Sequence, residues 1–376
     1  MSKLFEKTIP TPSEEFVRVE WESLKRYVAE VLHSVDVPWK HAEIAADVLV
    51  VADLMGIESH GVQRLRRYTS GIKNGMIKPK TEIKIVVETP TTYLVDGGAG
   101  LGQVVSYEAM EMAIKKAANI GVSVVGIKNS NHFGIAGYYA LQAVKRNMIG
   151  IVMTNSGALV SYTNTVGRNI GTNPIAVGFP TKNPPPVLFD AATSVVPIGK
   201  IEVYAKQGKK IPFGWALSPN GKPEEDPKEV LDKKGSILPL GGLGEDFGGH
   251  KGAGLALVVD ILCGVLTGAN YGTFIKESTG NEPPNVGHFM IAIDISKITP
   301  IDEFLERIEG YRKYIKALKK ISNDLEIWIP GEKAWLTMET RKKIGVPIHK
   351  NILREIKEEG EKLGVEFKVK IIKETA

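Results

Sequence analysis

The alternation of short apolar segments with amphipathic ones, from about residue 83 onwards, is the feature that most constrains the fold. Each apolar segment has the length and the Val and Ile content typical of a buried strand. Strands that alternate with helices predict an α/β fold. The predicted strands are IKIVVET, TTYLVDG, VSVVGIK, IGIVMTN, IAVGFP and VLFDAA, and the helices among them are VVSYEAMEMAIKKAANI and IAGYYALQAVKRNM.

The beginning of the chain follows a helical pattern instead. Apolar residues recur at helical spacing over residues 13–34, with Ser13 as the predicted N-cap, and two more helices are predicted over residues 40–55 and 60–74. Residues 1–80 are therefore predicted to form a helical N-terminal region.

The rest of the chain shows no internal repeat and no low-complexity linker. An irregular stretch over residues 205–248 precedes an apolar helix from about Gly252, an isolated strand HFMIAIDI and a charged helix. Residues 81–330 are predicted to hold interleaved α/β domains. Residues 331–376 are predicted to form a helical segment that packs back on the core and ends in the strand-like VEFKVKII.

Composition and charge exclude several classes of protein. The 376 residues carry a formal net charge of +5 from interspersed basic and acidic residues, so nucleic acid is not an expected partner, whereas anionic substrates are. The scattered histidines and the single Cys263 offer no metal-ligand spacing and no disulfide. No signal segment or uncharged span is present, which predicts a cytoplasmic protein. Abundant Lys, Glu, Ile and Val with little Gln indicate a thermophilic source.

A dinucleotide-binding GxGxxG motif is absent. The nearest approach is DGGAGLGQ, in which Gly98 and Gly100 fit the first two positions but Gln103 occupies the third. A phosphate cradle at the start of a helix is conceivable here. A glycine-rich turn that joins a strand to a helix is the favoured interpretation.

Two blocks carry histidines that suit acid–base chemistry. In ESHGVQRLRRY, a helix would place His60 and Arg64 on one face, where they make a carboxylate site, although a solvated basic helix fits the same residues equally well. In NSNHFGIAGYYA, His132 lies where a strand turns into a helix, so a neutral imidazole can take a proton from an alcohol. A polar helix cap is the alternative for His132.

Two further blocks offer polar groups at element ends. In GTNPIAVGFP, Thr172 and Asn173 precede a turn fixed by proline, and Asp190 ends the apolar run VLFD. In GGHKGAG, Lys251 and the backbone donors of a helix start suit a phosphate or a polarised oxygen, although the Walker spacing is missing. An ordinary turn, a capping aspartate and an exposed lysine explain these residues as well.

Taken together, these blocks resemble the type 2 malate/L-lactate dehydrogenase family, also called the L-sulfolactate dehydrogenase-like family. The resemblance extends over nearly the whole chain and looks closest to the archaeal malate dehydrogenases of the family. The matching blocks, in the order of the family, are ESHGVQRLRRY, NSNHFGIAGYYA, GTNPIA, FDAATSVVPIGK, GGHKGAGLALVVDIL and WIPGEK. The resemblance implies a non-Rossmann α/β fold, a homodimer, NAD or NADP as cofactor, and a small 2-hydroxy or 2-oxo acid as substrate.

The resemblance also implies roles for particular residues. The catalytic histidine of the family falls on His132, while His60, Arg64 and Ser156 face the substrate. The cofactor contacts fall on Asp190, Ala191, Ala192, Lys251, Gly331, Glu332 and Lys333, and Thr172 and Asn173 line the same cleft. A loose alignment puts Pro284 where ureidoglycolate-oxidising relatives carry a substrate-binding arginine, which disfavours that substrate.

These roles predict a hydride-transfer dehydrogenase, with malate and oxaloacetate as the favoured pair. Arg64 would anchor the substrate carboxylate, His132 would exchange the hydroxyl proton, and His60 would position the same oxygen. L-sulfolactate, L-lactate and cyclic imines are alternative substrates, and a non-catalytic nucleotide-binding protein is the alternative outside this class. The choice between NAD and NADP stays open, as does the choice among Arg168, Lys128 and Lys200 for a second anion.

Overall fold

The computed structural model describes residues 14–276, 280 and 282–372, except for the side chain of Lys206. Its strands, in chain order, are β1 (Phe16–Val19), β2 (Lys84–Glu88), β3 (Thr92–Asp96), β4 (Val122–Ser130), β5 (Met148–Thr154), β6 (Ile175–Phe179), β7 (Val187–Ala191), β8 (Ala216–Leu217), β9 (Pro223–Glu224), β10 (Ser236–Ile237), β11 (Val286–Asp294) and β12 (Val346–His349). Its α-helices are α1 (Trp21–His33), α2 (Trp39–Leu54), α3 (Leu65–Lys73), α4 (Gly102–Ile120), α5 (Ala136–Val144), α6 (Ile198–Lys206), α7 (Pro227–Leu231), α8 (Gly249–Asp260), α9 (Ile301–Lys316), α10 (Glu332–Ile344) and α11 (Lys350–Lys362).

A mixed sheet of seven strands, in the order β2-β3-β4-β11-β5-β6-β7, forms the centre of the fold. The strands β3, β4, β5 and β7 all run in one direction, because β4 and β5 each pair antiparallel with β11, and β6 reverses between β5 and β7. The carboxyl ends of these four strands therefore meet at one edge of the sheet. The sequence blocks that follow them are gathered at that edge.

The predicted isolated strand HFMIAIDI is the central strand β11 of this sheet. It pairs with β4 on one side and β5 on the other, and His288, Phe289 and Met290 are all buried. Burial on both faces explains its nearly continuous apolar sequence. A strand from late in the chain thus lies between two strands from its first half, so the sheet combines segments that are distant in sequence.

The prediction of a helix over residues 13–34 is wrong at its start. Residues Phe16–Val19 form β1, which pairs antiparallel with β12, and α1 begins only at Trp21. Alternation of Val17 and Val19 with charged neighbours fits a strand as well as a helix, and pairing with a strand from the far end of the chain decides between them. The predicted cap Ser13 lies outside the described residues.

The last part of the chain differs from prediction in a similar way. The segment VEFKVKII forms no ladder, and only Ile371 makes a single bridge, to Val19. The stretch over residues 205–248 is less irregular than expected, since it contains α6 in part, α7 and the small sheet β10-β8-β9. The apolar helix α8 begins at Gly249, one turn before the predicted start.

The helices at the two ends of the chain pack together over one face of the sheet. The helices α4 and α5 contact the sheet directly, α2 packs on α4, and α10 packs on α2. The buried hydroxyl of Tyr27 in α1 donates a hydrogen bond of 3.0 Å to the carbonyl oxygen of Ile356 in α11. No helix within the described ranges is long and apolar enough to cross a membrane. The division into three regions stays a prediction.

Replacing Gly150 by Ala should destabilise the fold. A Cβ at this position of β5 would lie 2.6 Å from the carbonyl oxygen of Ala140 in α5, so helix and sheet would have to move apart. Overpacking of this kind costs about 1–3 kcal/mol of unfolding free energy, which guanidinium denaturation measures. Gly310→Ala is the matched control, because no atom lies within 4 Å of that Cβ in α9. A Gly150→Ala protein as stable as the wild type would contradict this packing.

Candidate active site

The SHG block forms two turns of 3-10 helix, Glu58–His60 and Val62–Arg64, rather than the first turns of one α-helix. Gly61 separates them with an extended backbone (φ −86°, ψ −155°), and α3 begins only after the second turn. The helix predicted over residues 60–74 is therefore wrong at its start. The i, i+4 spacing on a helix does not explain how its histidine and arginine come together.

A buried carboxylate fixes this double turn instead. Oδ2 of Asp53 accepts a hydrogen bond of 2.8 Å from the backbone N–H of Val62. A Cβ on Gly61 would lie 1.9 Å from Oδ1 of Asp53, so only glycine fits against the carboxylate. Within the turn, Nε of Arg64 donates to the carbonyl oxygen of Ser59 at 2.7 Å. The backbone therefore folds the arginine back over the residue that precedes the histidine.

His132 lies two residues beyond the carboxyl end of β4. Its ring stacks on the ring of His60, with 5.5 Å between centroids and 21° between planes. Its Nδ1 is 2.7 Å from the hydroxyl oxygen of Tyr68 in α3. The structure thus brings together His60, Arg64 and His132, as predicted, although three strands and two α-helices separate the two histidines in the sequence.

Both imidazoles are held in the neutral form. Burial is the main cause: it lowers the pKa of His132 well below the usual value and the pKa of His60 to about 4. The positive charges of Arg64 and Arg67 act in the same direction. Within the described ranges, no carboxylate forms a hydrogen bond or ion pair with either ring. The pocket therefore offers neutral imidazoles and cationic guanidinium groups to an incoming anion.

Tyr68 is a site residue that sequence reasoning missed. Its side chain is buried, and burial raises the pKa of its hydroxyl to about 12, so it stays protonated. It ends the same ESHGVQRLRRY block, four residues after Arg64 and eight after His60. That regular spacing is the signal that the sequence offers. Without the fold, however, a tyrosine at this spacing is interpreted as a core residue, because its contact with His132 is not visible in the sequence.

His288 is a second missed residue, and it aligns two strand ends. Its Nδ1 is 2.7 Å from the hydroxyl of Thr154 at the end of β5, and its Nε2 is 2.8 Å from the hydroxyl of Ser130 at the end of β4. Complete burial lowers its pKa to about 3, so it stays neutral. Because His132 and Ser156 each follow one of these strand ends by two residues, His288 fixes the edge from which both project.

Ser156 belongs to a hydrogen-bonded cluster with the predicted residues Thr172 and Asn173. Its hydroxyl accepts from the N–H of Thr172 at 3.1 Å, and its own N–H donates to Oδ1 of Asn173 at 3.1 Å. Asn173 is fully buried and also donates to the carbonyl oxygen of Ala256 in α8. Asn173 therefore holds the cluster from its buried side, while Ser156 and Thr172 are partly exposed.

Asp190 lies near the end of β7 and reaches the start of α5. Its Oδ2 accepts a hydrogen bond of 2.7 Å from the N–H of Gly137, and burial raises its pKa to about 6. Ala191 and Ala192 follow it with partial exposure at the sheet edge. The carboxylate thus sits at the same strand-to-helix junction that carries His132.

The WIPGEK block packs on the edge of β7. Gly331 has a positive φ of 90°, and a Cβ there would lie 2.8 Å from Cβ of Leu188. The buried carboxylate of Glu332 is bound within the protein, by Nζ of Lys316 and by the N–H of Ile329 at 3.0 Å. Lys333 is exposed in the first turn of α10.

Lys251 has a comparable position in the first turn of α8, and its side chain is also exposed. Of the residues considered for a second anion, Arg168 donates to the carbonyl oxygens of Val230 and Gly235. Nζ of Lys200 lies 5.0 Å from the ring centre of Trp215. The two bonds of its guanidinium to backbone carbonyl oxygens explain Arg168 as a structural residue.

The glycine-rich DGGAGLGQ segment is a turn and not a phosphate cradle. Its N–H groups bond within the protein: Ala99 donates to the carbonyl oxygen of Asn129 at 2.8 Å, and Leu101 to the hydroxyl of Thr81 at 3.1 Å. A Cβ on Gly102 would lie 2.1 Å from the carbonyl oxygen of Asn131. The turn therefore packs against the loop that carries His132 and helps to hold it.

Replacing Gly61 by Ala should displace the double turn and lower stability by about 1–3 kcal/mol, because the added methyl group collides with the carboxylate of Asp53. A double-mutant cycle tests the cause. If the collision is responsible, Gly61→Ala should cost clearly less in an Asp53→Ala background, by chemical denaturation. Equal costs in both backgrounds would mean that Gly61 serves the turn in another way.

Comparison with known proteins identifies the family of the chain. The family model described as malate/L-lactate dehydrogenase matches residues 19–357. The malate dehydrogenase of Pyrococcus horikoshii is 49% identical over 353 residues, which cover 94% of this chain and 97% of that protein. The L-sulfolactate dehydrogenase of Methanocaldococcus jannaschii is 40% identical over 349 residues, which cover 92% of this chain and 96% of that protein.

Solved structures of similar proteins have the same fold as this chain. The structure of malate dehydrogenase from Pyrococcus horikoshii superimposes with a TM-score of 0.89 at 46% identity, covering 96% of this chain and 99% of that one. Malate dehydrogenase from Entamoeba histolytica gives a TM-score of 0.90 at 36% identity, covering 94% and 99%. The predicted family and the predicted α/β fold of that family are confirmed. The chain belongs to the malate/L-lactate dehydrogenase family.

Proposed function

We propose that this chain interconverts a 2-hydroxy acid and a 2-oxo acid, with malate and oxaloacetate as the favoured pair. The observation that carries the proposal is the stacked pair of uncharged imidazoles, His60 and His132, beside Arg64. Such a pocket binds a carboxylate and exchanges a proton with the oxygen next to it. The prediction of a dehydrogenase of this class is confirmed by the family match and by relatives named malate dehydrogenase.

Arg64 is proposed to anchor the C1 carboxylate of the substrate. Only its Nε is engaged by the described residues, in the bond to the carbonyl oxygen of Ser59. That bond fixes the plane of the guanidinium and leaves its two terminal amino groups for a ligand. A bidentate guanidinium–carboxylate pair adds geometric specificity as well as affinity.

His132 is proposed to exchange the substrate proton through Nε2. Because Tyr68 occupies Nδ1, the other ring nitrogen has no hydrogen-bond partner in the described structure. A neutral imidazole takes the hydroxyl proton when the 2-hydroxy acid is oxidised, and an imidazolium returns it in reduction. His60 is held at Nδ1 by the hydroxyl of Ser59, 2.9 Å away, and positions the same oxygen. Proton exchange by His132 and positioning by His60 are the proposed division of roles between the two histidines.

The family implies a nicotinamide cofactor, and the residues of the cleft suit one. Two helices of at least twelve residues, α8 and α10, each present an exposed lysine in the first turn, Lys251 and Lys333. Helix N-termini with a nearby lysine bind phosphate groups. Asp190, Ala191, Ala192 and Gly331 are proposed to contact the rest of the cofactor, with Glu332 holding the loop. When bound, the nicotinamide ring accepts or supplies the hydride.

Substrate charge is proposed to control the protonation of His132. In the free protein, burial and the arginine charges keep the ring neutral. A bound dianion offsets the charges of Arg64 and Arg67, and the pKa of His132 rises as the oxo acid enters. The imidazolium needed for reduction therefore forms only with substrate in place. A dianion such as oxaloacetate has a larger effect than pyruvate, which is one reason to favour malate over lactate.

The alternative substrates would undergo the same type of reaction. Sulfopyruvate is also a dianion, and relatives named L-sulfolactate dehydrogenase are 37% and 40% identical, against 49% and 50% for two named malate dehydrogenase. A non-catalytic nucleotide-binding protein is disfavoured, because it would have no use for two stacked, neutral histidines beside an arginine. No cluster of metal-ligating side chains occurs in the part of the chain that the structure describes.

Other features of the proposal rest on the family resemblance or on the composition of the sequence. A homodimer, a cytoplasmic location, a thermophilic source and the use of either NAD or NADP are expectations. The molecular mass in solution and a comparison of the two cofactors address the first and last of these.

An absorbance assay of NADH and NADPH oxidation, with oxaloacetate, sulfopyruvate and pyruvate, tests the proposal. We expect turnover with a dianionic oxo acid and a loss of about 10²–10⁴-fold in kcat for His132→Ala, since general acid–base catalysis contributes that much. Cofactor affinity, measured by fluorescence titration, should stay nearly unchanged in the variant. Turnover with pyruvate alone would move the substrate to lactate. Undiminished turnover in His132→Ala would overturn the assignment of the acid–base group.

A further inference from the structure

Arg341 is a buried cation that the proposed reaction does not use. It lies in the last turn of α10, and its side chain is almost fully buried. Its Nη1 donates a hydrogen bond of 2.7 Å to Oε1 of Glu58, where the SHG turn (residues 58–64) begins, and a second one to the carbonyl oxygen of Asp53 near the end of α2. A buried guanidinium needs such partners, because an unpaired buried charge is costly. Both partners belong to the segment that leads into the SHG turn.

The residue that follows Glu58 holds both side chains of the SHG turn that are proposed to meet the substrate. The hydroxyl of Ser59 lies 2.9 Å from Nδ1 of His60, and its carbonyl oxygen accepts a hydrogen bond of 2.7 Å from Nε of Arg64. The carbonyl oxygen of Glu58 accepts a hydrogen bond of 3.0 Å from the N–H of Gly61. A displacement of Glu58 therefore changes the position of the imidazole and the plane of the guanidinium.

The opposite end of α10 carries residues of the proposed cofactor site. Gly331 and Lys333 lie at the start of the helix, and the carbonyl oxygen of Pro330 accepts a hydrogen bond of 3.0 Å from the N–H of Leu188 in β7. The eight residues from Lys333 to Arg341 span about 12 Å along the helix axis. A helix is a rigid element over this distance, and α10 also packs on α2. One helix thus joins the proposed cofactor contacts to the SHG turn.

We propose that Arg341 is a positioning residue that couples the cofactor site to the substrate site through Glu58. A cofactor bound at the start of α10 restrains the helix, and the helix restrains the SHG turn through Arg341. The substrate then meets a turn that is already ordered, so it binds more tightly. Such coupling is reciprocal and typically amounts to about 5–150-fold in affinity. The inference rests on the proposed function, since it states how the two ligands of that reaction affect each other.

Two ligands separate this coupling from other effects. ADP-ribose carries the phosphates of the cofactor but lacks the nicotinamide ring that meets the substrate, so direct contact between the two ligands is removed. If NADPH is the better cofactor, the 2′-phosphate of ADP-ribose takes its place. Oxalate, an unreactive dianion, replaces the oxo acid. An arginine that only stabilised the fold would change the resistance to denaturation but not the effect of ADP-ribose on oxalate binding.

Titration calorimetry of oxalate, with and without saturating ADP-ribose, tests the proposal. In the wild type, we expect ADP-ribose to raise the affinity for oxalate by about 5-fold or more, and in Glu58→Gln and Arg341→Met by less than about 2-fold. Arg341→Lys retains a cationic donor and should retain part of the increase. Glu58 is partly exposed, so Glu58→Gln should fold even where Arg341→Met does not.

Glu339→Gln is the matched control for Glu58→Gln. It makes the same change in the same helix, where Glu339 forms an exposed ion pair of 3.0 Å with Lys342. Glu339→Gln should therefore keep the full effect of ADP-ribose on oxalate affinity. In steady-state kinetics, Glu58→Gln should raise the KM of the oxo acid more than it lowers kcat, because the acid–base group His132 is unchanged. The control should leave both constants as in the wild type.

Amide hydrogen exchange reports on the SHG turn itself, without a substrate. The N–H of Gly61 donates to the carbonyl oxygen of Glu58, and the N–H of Val62 donates to the carboxylate of Asp53. ADP-ribose should slow the exchange of both amides in the wild type and in the Glu339→Gln control, but not in Glu58→Gln, because local opening of the turn is then no longer restrained from α10.

The outcomes distinguish the coupling from the proposed reaction. If ADP-ribose changes oxalate affinity and amide exchange equally in the wild type and in Glu58→Gln, or changes neither in the wild type, the role of Arg341 is overturned and the proposed function stands. If ADP-ribose slows amide exchange in the wild type only, but the wild type reduces no 2-oxo acid, the proposed function is refuted and the role of Arg341 stands.

Discussion

The stacking of two uncharged imidazoles, with no acid beside them, is the constraint on which the site depends. If both rings carried a proton, two positive charges 5.5 Å apart would repel by about 3 kcal/mol at an effective dielectric of about 20. The nearby arginines would add to that repulsion. Burial and arginine charge therefore keep the rings neutral until an anion arrives. In this account the bound substrate supplies the missing negative charge. Substrate binding therefore also raises the pKa of the histidine that exchanges the proton.

The fold holds this arrangement by converging on one sheet edge. The strands β3, β4, β5 and β7 end there, and the late strand β11 enters between β4 and β5 and ties their ends together through His288. The helical start of the chain contributes His60 through a turn that Asp53 and Gly61 fix. Three elements thus support His132. Gly102 of α4 packs against its backbone, Tyr68 of α3 contacts its Nδ1, and His60 of the SHG turn stacks on its ring.

Much of this was predictable from the sequence, and the failures share one cause. Period-two and period-3.6 patterns identified most of the strands and helices, and a histidine after a buried strand marked His132. The local pattern could not say that Phe16–Val19 pairs with the far end of the chain. It could not show that Tyr68, which contacts Nδ1 of His132, is more than a buried core residue. The cofactor contact of Glu332 that the resemblance implies stays a prediction, and its carboxylate is engaged within the protein by Lys316 and Ile329. Each of these depends on a partner distant in sequence.

The measurement that tests the central claim most directly is proton uptake on binding an unreactive dianion. Oxalate binding to the protein with reduced cofactor can be followed by titration calorimetry in buffers of different ionisation enthalpy, which gives the number of protons exchanged. The account predicts net uptake near pH 7, approaching one proton per site, because the bound anion raises the pKa of His132. The uptake should disappear in His132→Gln. Binding without proton uptake, or equal uptake in the variant, would contradict the claim that the substrate charge prepares this histidine.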